Sequence, residues 1–269
     1  MNTVLTRDVS PTLGRCELTF LDREPIDVGR AIGQHRAYGD ALASLGLDVV
    51  HLPADPAFPD GCFVEDAAVV VDEVAVMTSP GAASRRGELP AVEAALARDR
   101  TIARIAPPAR LDGGDVMVVG RRVFVGRSRR TDAAGVEGLA SALHPYGYEV
   151  VPVPVNGALH LKTAVTPLDA GTLLVNPDWL DAAALAGFDR VPVDPAEPFA
   201  ANVLSVAGRV LAHSGFPRTL DLLDARGYAL LPVDISEFLK AEAGVTCLSI
   251  VYEGPTSRRT RSSPGRRRR

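Results

Sequence analysis

Six residues hold most of the chemistry this chain could perform. They are Cys247 in "GVTC", His160 in "ALHLK", Asp112 and Asp115 in "RLDGGD", and the adjacent pair Glu65 and Asp66 in "CFVED". A thiol near an imidazole supplies a nucleophile and a proton carrier, and fixed carboxylates can hold a cation. Taken singly, each has an ordinary explanation. Free cysteine is among the most buried residue types, and "AGVTCLSIVYEG" (243–254) reads as a strand in which Cys247 fills a small apolar position. His160 suits a satisfied core site. Asp112 and Asp115 flank two glycines and suit a turn.

What sets these residues apart is their place in a repeat. Four segments share a glycine, a bulky apolar residue, two spacers and a mainly apolar strand: "GLDVVHLP" from Gly46, "GYEVVPVP" from Gly147, "GFDRVPVD" from Gly187 and "GYALLPVD" from Gly227. The last three glycines lie forty residues apart, and "RTIARIAP" near Thr101 fills the longer first gap with a degenerate copy. Recurrence at forty to fifty residues predicts a repeat architecture.

Each copy follows an amphipathic helix pattern: "VGRAIGQHRAYGDALASL", "ELPAVEAALARD", "AAGVEGLASALHPY", "PDWLDAAALA" and "PRTLDLLDAR". All carry apolar residues at three- and four-residue steps, and glycine is the usual stop signal. Before the helices come paired apolar runs such as "AAVVV-DE-VAVMT" and "NVLSVAG-RVLAH". The unit is strand, strand, helix, strand. The fifth unit is split, with "TCLSIVYE" as its first strand and "TVLTRD" from the other chain end as its second. The expectation is an α/β fold, a five-bladed α/β propeller of ββαβ units over residues 1–255, closed by pairing of the N- and C-terminal strands. A doubly wound parallel sheet would want single strands between helices, and the hairpins argue against it.

The totals, 269 residues with 46% hydrophobic and 23% charged, fit a globular protein of one large domain or two ordinary ones. The repeat makes it a single domain over 1–255, for which the resemblance given below implies catalysis. No apolar run is long enough to span a bilayer, and the first residues lack the pattern of a secretion signal. Cys16, Cys62 and Cys247 are odd in number and widely spaced. That spacing argues against a disulfide framework and for a reducing compartment, the cytoplasm. The last fourteen residues carry seven arginines and no acid, so removing them takes the net charge from −4 to −11. Residues 256–269 read as a disordered Arg-rich tail; no nucleic acid or membrane partner is expected for the folded domain. No histidine pair has metal-ligand spacing and no phosphate-binding glycine motif occurs, so neither metal nor cofactor is expected.

In a ring of equivalent units, residues at matching positions converge. The first strands of the five units begin "GVTC", "CFVED", "RLDGGD", "ALHLK" and "AANV", and four of the five carry chemistry. These stretches carry a family resemblance. "FPDGCFVEDAAVV", "SPGAASRRGE", "LDGGDVMVVGRRVFVGRSRRT", "LHLKT", "AANVLSV" and "GVTCLSI" resemble, in order, the motif series of dimethylarginine dimethylaminohydrolases, members of the guanidino-group-modifying propellers. The resemblance covers nearly all of residues 1–255. It implies hydrolysis of asymmetric dimethylarginine, or monomethylarginine, to citrulline and a methylamine, within arginine metabolism and nitric oxide regulation.

The resemblance also implies roles. Cys247 attacks the guanidinium carbon, His160 protonates the departing amine and then activates water, and Asp112 is the carboxylate beside His160. A covalent thiouronium links the two halves. Asp66, with Glu65, pairs with the guanidinium nitrogens. Asp60, Arg85 and Arg130 match the contacts to the amino-acid end of the substrate. "GRCELTFLDRE" is similar to a mobile lid in which Leu18 touches substrate through its backbone, and Ala241 matches another backbone contact. Alternatives stay open: a related hydrolase of arginine, agmatine or another substituted arginine, and a non-catalytic propeller that binds a macromolecule. The expected partner is a small methylated arginine, and a homodimer is compatible with the reading.

Overall fold

The computed structural model describes residues 2–254, and the tail expected to be disordered lies outside the described residues. The described chain forms an α/β fold of five small three-stranded sheets. The first sheet joins both ends of the chain. Strand β1 (Asn2–Arg7) runs parallel to β2 (Asp48–Leu52) and antiparallel to the last strand, β15 (Ile250–Glu253). The pairing of Val4 with Val251 and Leu5 with Ile250 fixes the register.

The other four sheets repeat that order without interruption. They are β3 (Ala68–Val70), β4 (Val74–Met77) and β5 (Thr101–Arg104); β6 (Val116–Val119), β7 (Arg122–Arg127) and β8 (Glu149–Pro154); β9 (Val165–Pro167), β10 (Thr172–Val175) and β11 (Asp189–Pro192); and β12 (Leu204–Val206), β13 (Arg209–His213) and β14 (Leu230–Val233). In each sheet the first two strands form an antiparallel hairpin and the third returns parallel to the second. A parallel return needs a crossover, which is why a helix pattern precedes every glycine-led strand.

Four of those crossovers are helices: Val28–Ser44, Leu89–Leu96, Ala133–Leu143 and Pro217–Ala225. In the longest, Ala31, Gln34, His35, Tyr38, Gly39 and Leu42 are buried, one face at helical spacing. Asp27 and Asp132 cap their helices by accepting from the Arg30 and Gly135 N–H groups, each at 2.9 Å. The expected fifth helix over 177–186 is corrected: that crossover is two 3-10 turns, Pro177–Trp179 and Ala182–Leu185. Asn176 accepts from the Asp178 N–H and Asp181 from the Ala183 N–H, so each side chain starts a fresh turn. Between them Leu180 is extended, which breaks the helical ladder.

The repeated glycine has a backbone cause. Gly46, Gly147, Gly187 and Gly227 all adopt φ between 76° and 91°, with nothing near a would-be Cβ. The left-handed turn after each crossover, not space, selects the residue.

Gly113 is held by space instead. An added Cβ would lie 1.9 Å from the Glu65 carbonyl oxygen, on the neighbouring unit's backbone. Gly113→Ala is expected to force the two units apart and to cost about 3 kcal/mol of stability. An unchanged urea midpoint would show that this backbone contact is not needed.

Candidate active site

Each first strand is entered through a single helical turn. These turns are Val64–Ala67, Gly113–Asp115, Leu161–Ala164, Pro198–Ala201 and Thr246–Leu248. Two strand assignments are corrected by this. Cys247 lies in the last of these turns rather than in a strand running from Thr246, because β15 begins at Ile250. The Thr246 N–H donates to Asn202 Oδ1 at 3.0 Å and the Cys247 N–H to the Gly244 carbonyl at 3.3 Å, taking both amides out of the ladder. Likewise, Glu65 and Asp66 sit on a turn, not on a strand.

One small cavity, about 20 Å³, gathers the chemistry. Cys247, His160, Asp66, Asp60, Arg85 and Arg130 all line it. His160 precedes its turn, and Nε2 bonds Asp112 Oδ2 at 3.0 Å while Nδ1 lies 3.8 Å from Asp66 Oδ1. Asp112 is fully buried; its other oxygen accepts from the Gly81 N–H at 2.7 Å. Asp66 accepts from the Gly114 N–H at 2.8 Å and from the Arg85 guanidinium. Asp115, one step further in, accepts from the Leu161 N–H and from the hydroxyls of Ser128 and Thr131, tying the His160 turn to the neighbouring unit.

These contacts set the charge states. Burial opposes the imidazolium of His160, but Asp66, the Asp112 bond and Asp115 outweigh it and push the group up to about 9. Burial likewise opposes the Asp66 carboxylate, yet His160, Arg85 and the Gly114 N–H hold it at about 2. Cys247 moves the other way. Burial, then Glu65 and Asp66, push its thiol up, and the Gly244 N–H and Lys162 offset only part of that. The site without ligand therefore holds an imidazolium and a neutral thiol at neutral pH.

The His160 shift has a consequence for stability. A rise from 6.5 to about 9, at 1.36 kcal/mol per unit, is worth about 3 kcal/mol of folding free energy. Because the folded value is the higher one, that stabilisation is complete below pH 6.5 and is lost as pH rises toward 9. Urea denaturation across that window should show the decline, and His160→Asn should flatten it. An equal decline in the variant would assign the effect elsewhere.

Not every expected residue faces the cavity. Glu65 turns away from it, bonding Lys162 Nζ at 2.5 Å and the Thr246 hydroxyl at 2.8 Å, and lines a separate cavity of about 220 Å³ with Lys162, Thr246 and Ile250. Burial raises the Glu65 carboxyl, with Lys162 opposing. The Leu18 side chain packs on the core, and its neighbour Glu17 lines the cavity. Ala241 does line it, beside Glu242 and Ala243. Of the paired arginines, Arg85 and Arg130 face inward while Arg86 is exposed and Arg129 stacks over the Phe20 ring at 5.1 Å. Arg85 is committed to Asp66, Glu88 and the carbonyls of Asp60 and Phe63, whereas half-buried Arg130 bonds the Thr19 hydroxyl.

Several contributors are absent from the sequence reading. Asn202 grips the cysteine turn, accepting from the Thr246 N–H and donating to the Thr246 hydroxyl and the Lys162 carbonyl. It stands in "AANV", the one matched stretch with no ionisable residue, where the position itself was the available signal. Phe63 and Leu159, apolar members of the matched stretches, also line the cavity, as do Glu17 and Glu242, from irregular segments that show no period. Asp66, Asp112 and His160 are close enough to share a metal ion, but Nε2 and Nδ1 of His160 already face the two carboxylates.

Comparisons with known proteins find several relatives. A sequence profile of the arginine deiminase family matches residues 88–214. An N(G),N(G)-dimethylarginine dimethylaminohydrolase of Streptomyces coelicolor is 44% identical over 91% of this chain and 95% of its own. The enzyme of that name from Pseudomonas aeruginosa is 35% identical over 84% and 90%. Among solved structures, a histidine-to-glycine variant of a dimethylarginine dimethylaminohydrolase, an adduct with S-methyl-L-thiocitrulline, superposes with a TM-score of 0.90 at 32% identity, covering 94% of this chain and 100% of that one. A cysteine-to-serine mutant of the Pseudomonas aeruginosa protein complexed with citrulline gives 0.87 at 32% identity over 93% and 98%.

Proposed function

The chain belongs to the dimethylarginine dimethylaminohydrolase family, and from that premise we propose that this site hydrolyses asymmetric dimethylarginine and monomethylarginine to citrulline, releasing dimethylamine or methylamine. The observation that carries the reading is the sharing of one cavity by a thiol, a charged imidazole and the Asp66 carboxylate.

A guanidinium carbon is a poor electrophile, since its charge is spread over three nitrogens, so the thiolate is the form that reacts. Burial, Glu65 and Asp66 hold the thiol neutral before substrate arrives. The arriving guanidinium brings the missing positive charge, and the thiol proton leaves to solvent: at about 4 Å, a unit charge is worth roughly 4 kcal/mol at an effective dielectric of 20. Asp66 orients that cation. Cys247 Sγ then bonds to the guanidinium carbon, and His160 gives a proton to the methylated nitrogen as the C–N bond breaks. Nδ1 serves this transfer, because Nε2 stays on Asp112. Amine departs, leaving an S-alkylthiouronium. Neutral His160 next takes a proton from water as the hydroxide adds to the same carbon; the C–S bond then breaks, the hydroxyl proton of the adduct passes to sulfur, and citrulline, the thiol and the imidazolium result.

At the far end of the substrate Asp60 takes the ammonium and Arg130 the carboxylate. Arg85 acts mainly by fixing Asp66, and Glu65 by bracing the cysteine turn through Thr246. We further infer that the five sheets are blades of one closed propeller spanning residues 1–255. In support, β1 pairs with β15, and the first strands lie against one another, β15 with β3, β6 with β9 and β9 with β12. The three free cysteines support a cytoplasmic protein.

The test is a panel of arginine, monomethylarginine, asymmetric dimethylarginine and agmatine, with citrulline and amines quantified. The two methylated substrates should react fastest. Agmatine lacks the carboxylate that Arg130 would grip. Reaction of agmatine with dimethylarginine left untouched would overturn the assignment.

A further inference from the structure

The cavity that holds the chemistry has room, at about 20 Å³, for little more than one water. An amino acid cannot enter it as it stands. Glu17 and Glu242 form part of its wall, and the residues that follow Glu17, up to Leu21, are gripped by the Glu242 side chain. The carboxylate of Glu242 accepts from three successive backbone N–H groups: Thr19 at 2.9 and 3.0 Å, Phe20 at 2.5 Å and Leu21 at 2.6 Å.

Glu242 is an unlikely residue for its backbone. It adopts φ 59°, and its N–H and that of Ala243 bond the Leu239 and Phe238 carbonyls to end the helical turn Ser236–Leu239. Glycine or asparagine suits such a position better. What a glutamate adds there is its carboxylate. Around it, the gripped segment has contacts that reach the site directly. The Glu17 N–H donates to both Asp60 oxygens at 3.2 Å, and the Thr19 hydroxyl accepts from Arg130 at 3.1 Å. Leu21, 37% exposed, borders an apolar cavity of about 170 Å³ with Phe199, Phe216 and Leu239. Leu18 packs on the core and Ser84 donates to the Glu17 carboxylate. The amides of residues 19–21, however, all rest on Glu242, so one carboxylate can decide whether that stretch stays in place.

We propose that Glu242 is a positioning residue, the catch that holds segment 17–21 shut over the guanidine site. Its release admits substrate and lets citrulline leave. Closure completes the site by bringing Glu17 against Asp60 and Thr19 against Arg130. The proposal rests on the hydrolase reading only for its kinetic arm.

The experiment compares the full-length protein with Glu242→Gln and Glu242→Gly, the second being a residue its backbone favours. Hydrogen exchange at the amides of residues 19–21 should quicken by at least about tenfold in both, since each loses charge-assisted bonds. Exchange in the helix Val28–Ser44 should stay as it was. For dimethylarginine, KM should rise about tenfold with kcat within about threefold. Unchanged exchange at 19–21, or acceleration spread equally through the helix Val28–Ser44, would overturn the catch. So would a fall in kcat at constant KM. If the protein turned over no methylarginine at all, the exchange comparison would still decide the matter, and only the reading of the site as a hydrolase would fall.

Discussion

Cys247→Ser is expected to lower kcat/KM for dimethylarginine by at least about 10⁴-fold while the folded structure persists. The substitution exchanges sulfur for oxygen in a turn held by Asn202 and Gly244, so packing changes little. The chemistry changes greatly. A serine hydroxyl is far harder to deprotonate than a thiol, and the negative charges of Glu65 and Asp66 oppose its ionisation as they oppose that of the thiol. His160 offers no rescue, because it is already protonated between Asp66 and Asp112. The wild-type pH profile carries the same logic. With the thiol raised in the free protein, kcat/KM should climb through the neutral range as thiolate becomes available. It should level or fall as His160, near 9, loses the proton that the leaving amine needs. Citrulline production by Cys247→Ser at the wild-type rate would remove the nucleophile from the account.

His160→Gly is expected to cost about 10³-fold in steady-state turnover, and its two missing roles separate by substrate. With dimethylarginine the amine must leave unprotonated, so even the first half-reaction slows. With S-methyl-L-thiocitrulline the leaving group is a thiol, which departs without an acid; Cys247 bonds the carbon and methanethiol is released. The resulting thiouronium then waits for a base that is absent. A single burst of methanethiol followed by negligible citrulline is the expected trace. Continued turnover at the wild-type rate would show that another group activates water.

Much of the fold was legible in the sequence because it is written in short-range rules. The left-handed turn admits glycine at positions 46, 147, 187 and 227 regardless of tertiary context, and a parallel return demands a crossover. The site was legible for a derived reason: once units match, Cys247, His160, Asp112 and Asp66 fall within or just before the entry turns of different units. What was not legible depends on single contacts. Adjacent Glu65 and Asp66 diverge because their turn faces Lys162 and Thr246 on one side and Arg85 on the other. The Glu242 carboxylate meets amides more than two hundred residues away, through loops with no period to read. The 177–186 crossover has helical apolar spacing, yet local Asx bonds at Asn176 and Asp181 win over it.

The most direct measurement is peptide mass spectrometry of His160→Gly after acid quench from S-methyl-L-thiocitrulline. The account predicts one added mass per chain, that of citrulline less one water, on the peptide holding Cys247, and none in the double variant with Cys247→Ser. No added mass, or the same mass found on Cys16 or Cys62 instead, would contradict it.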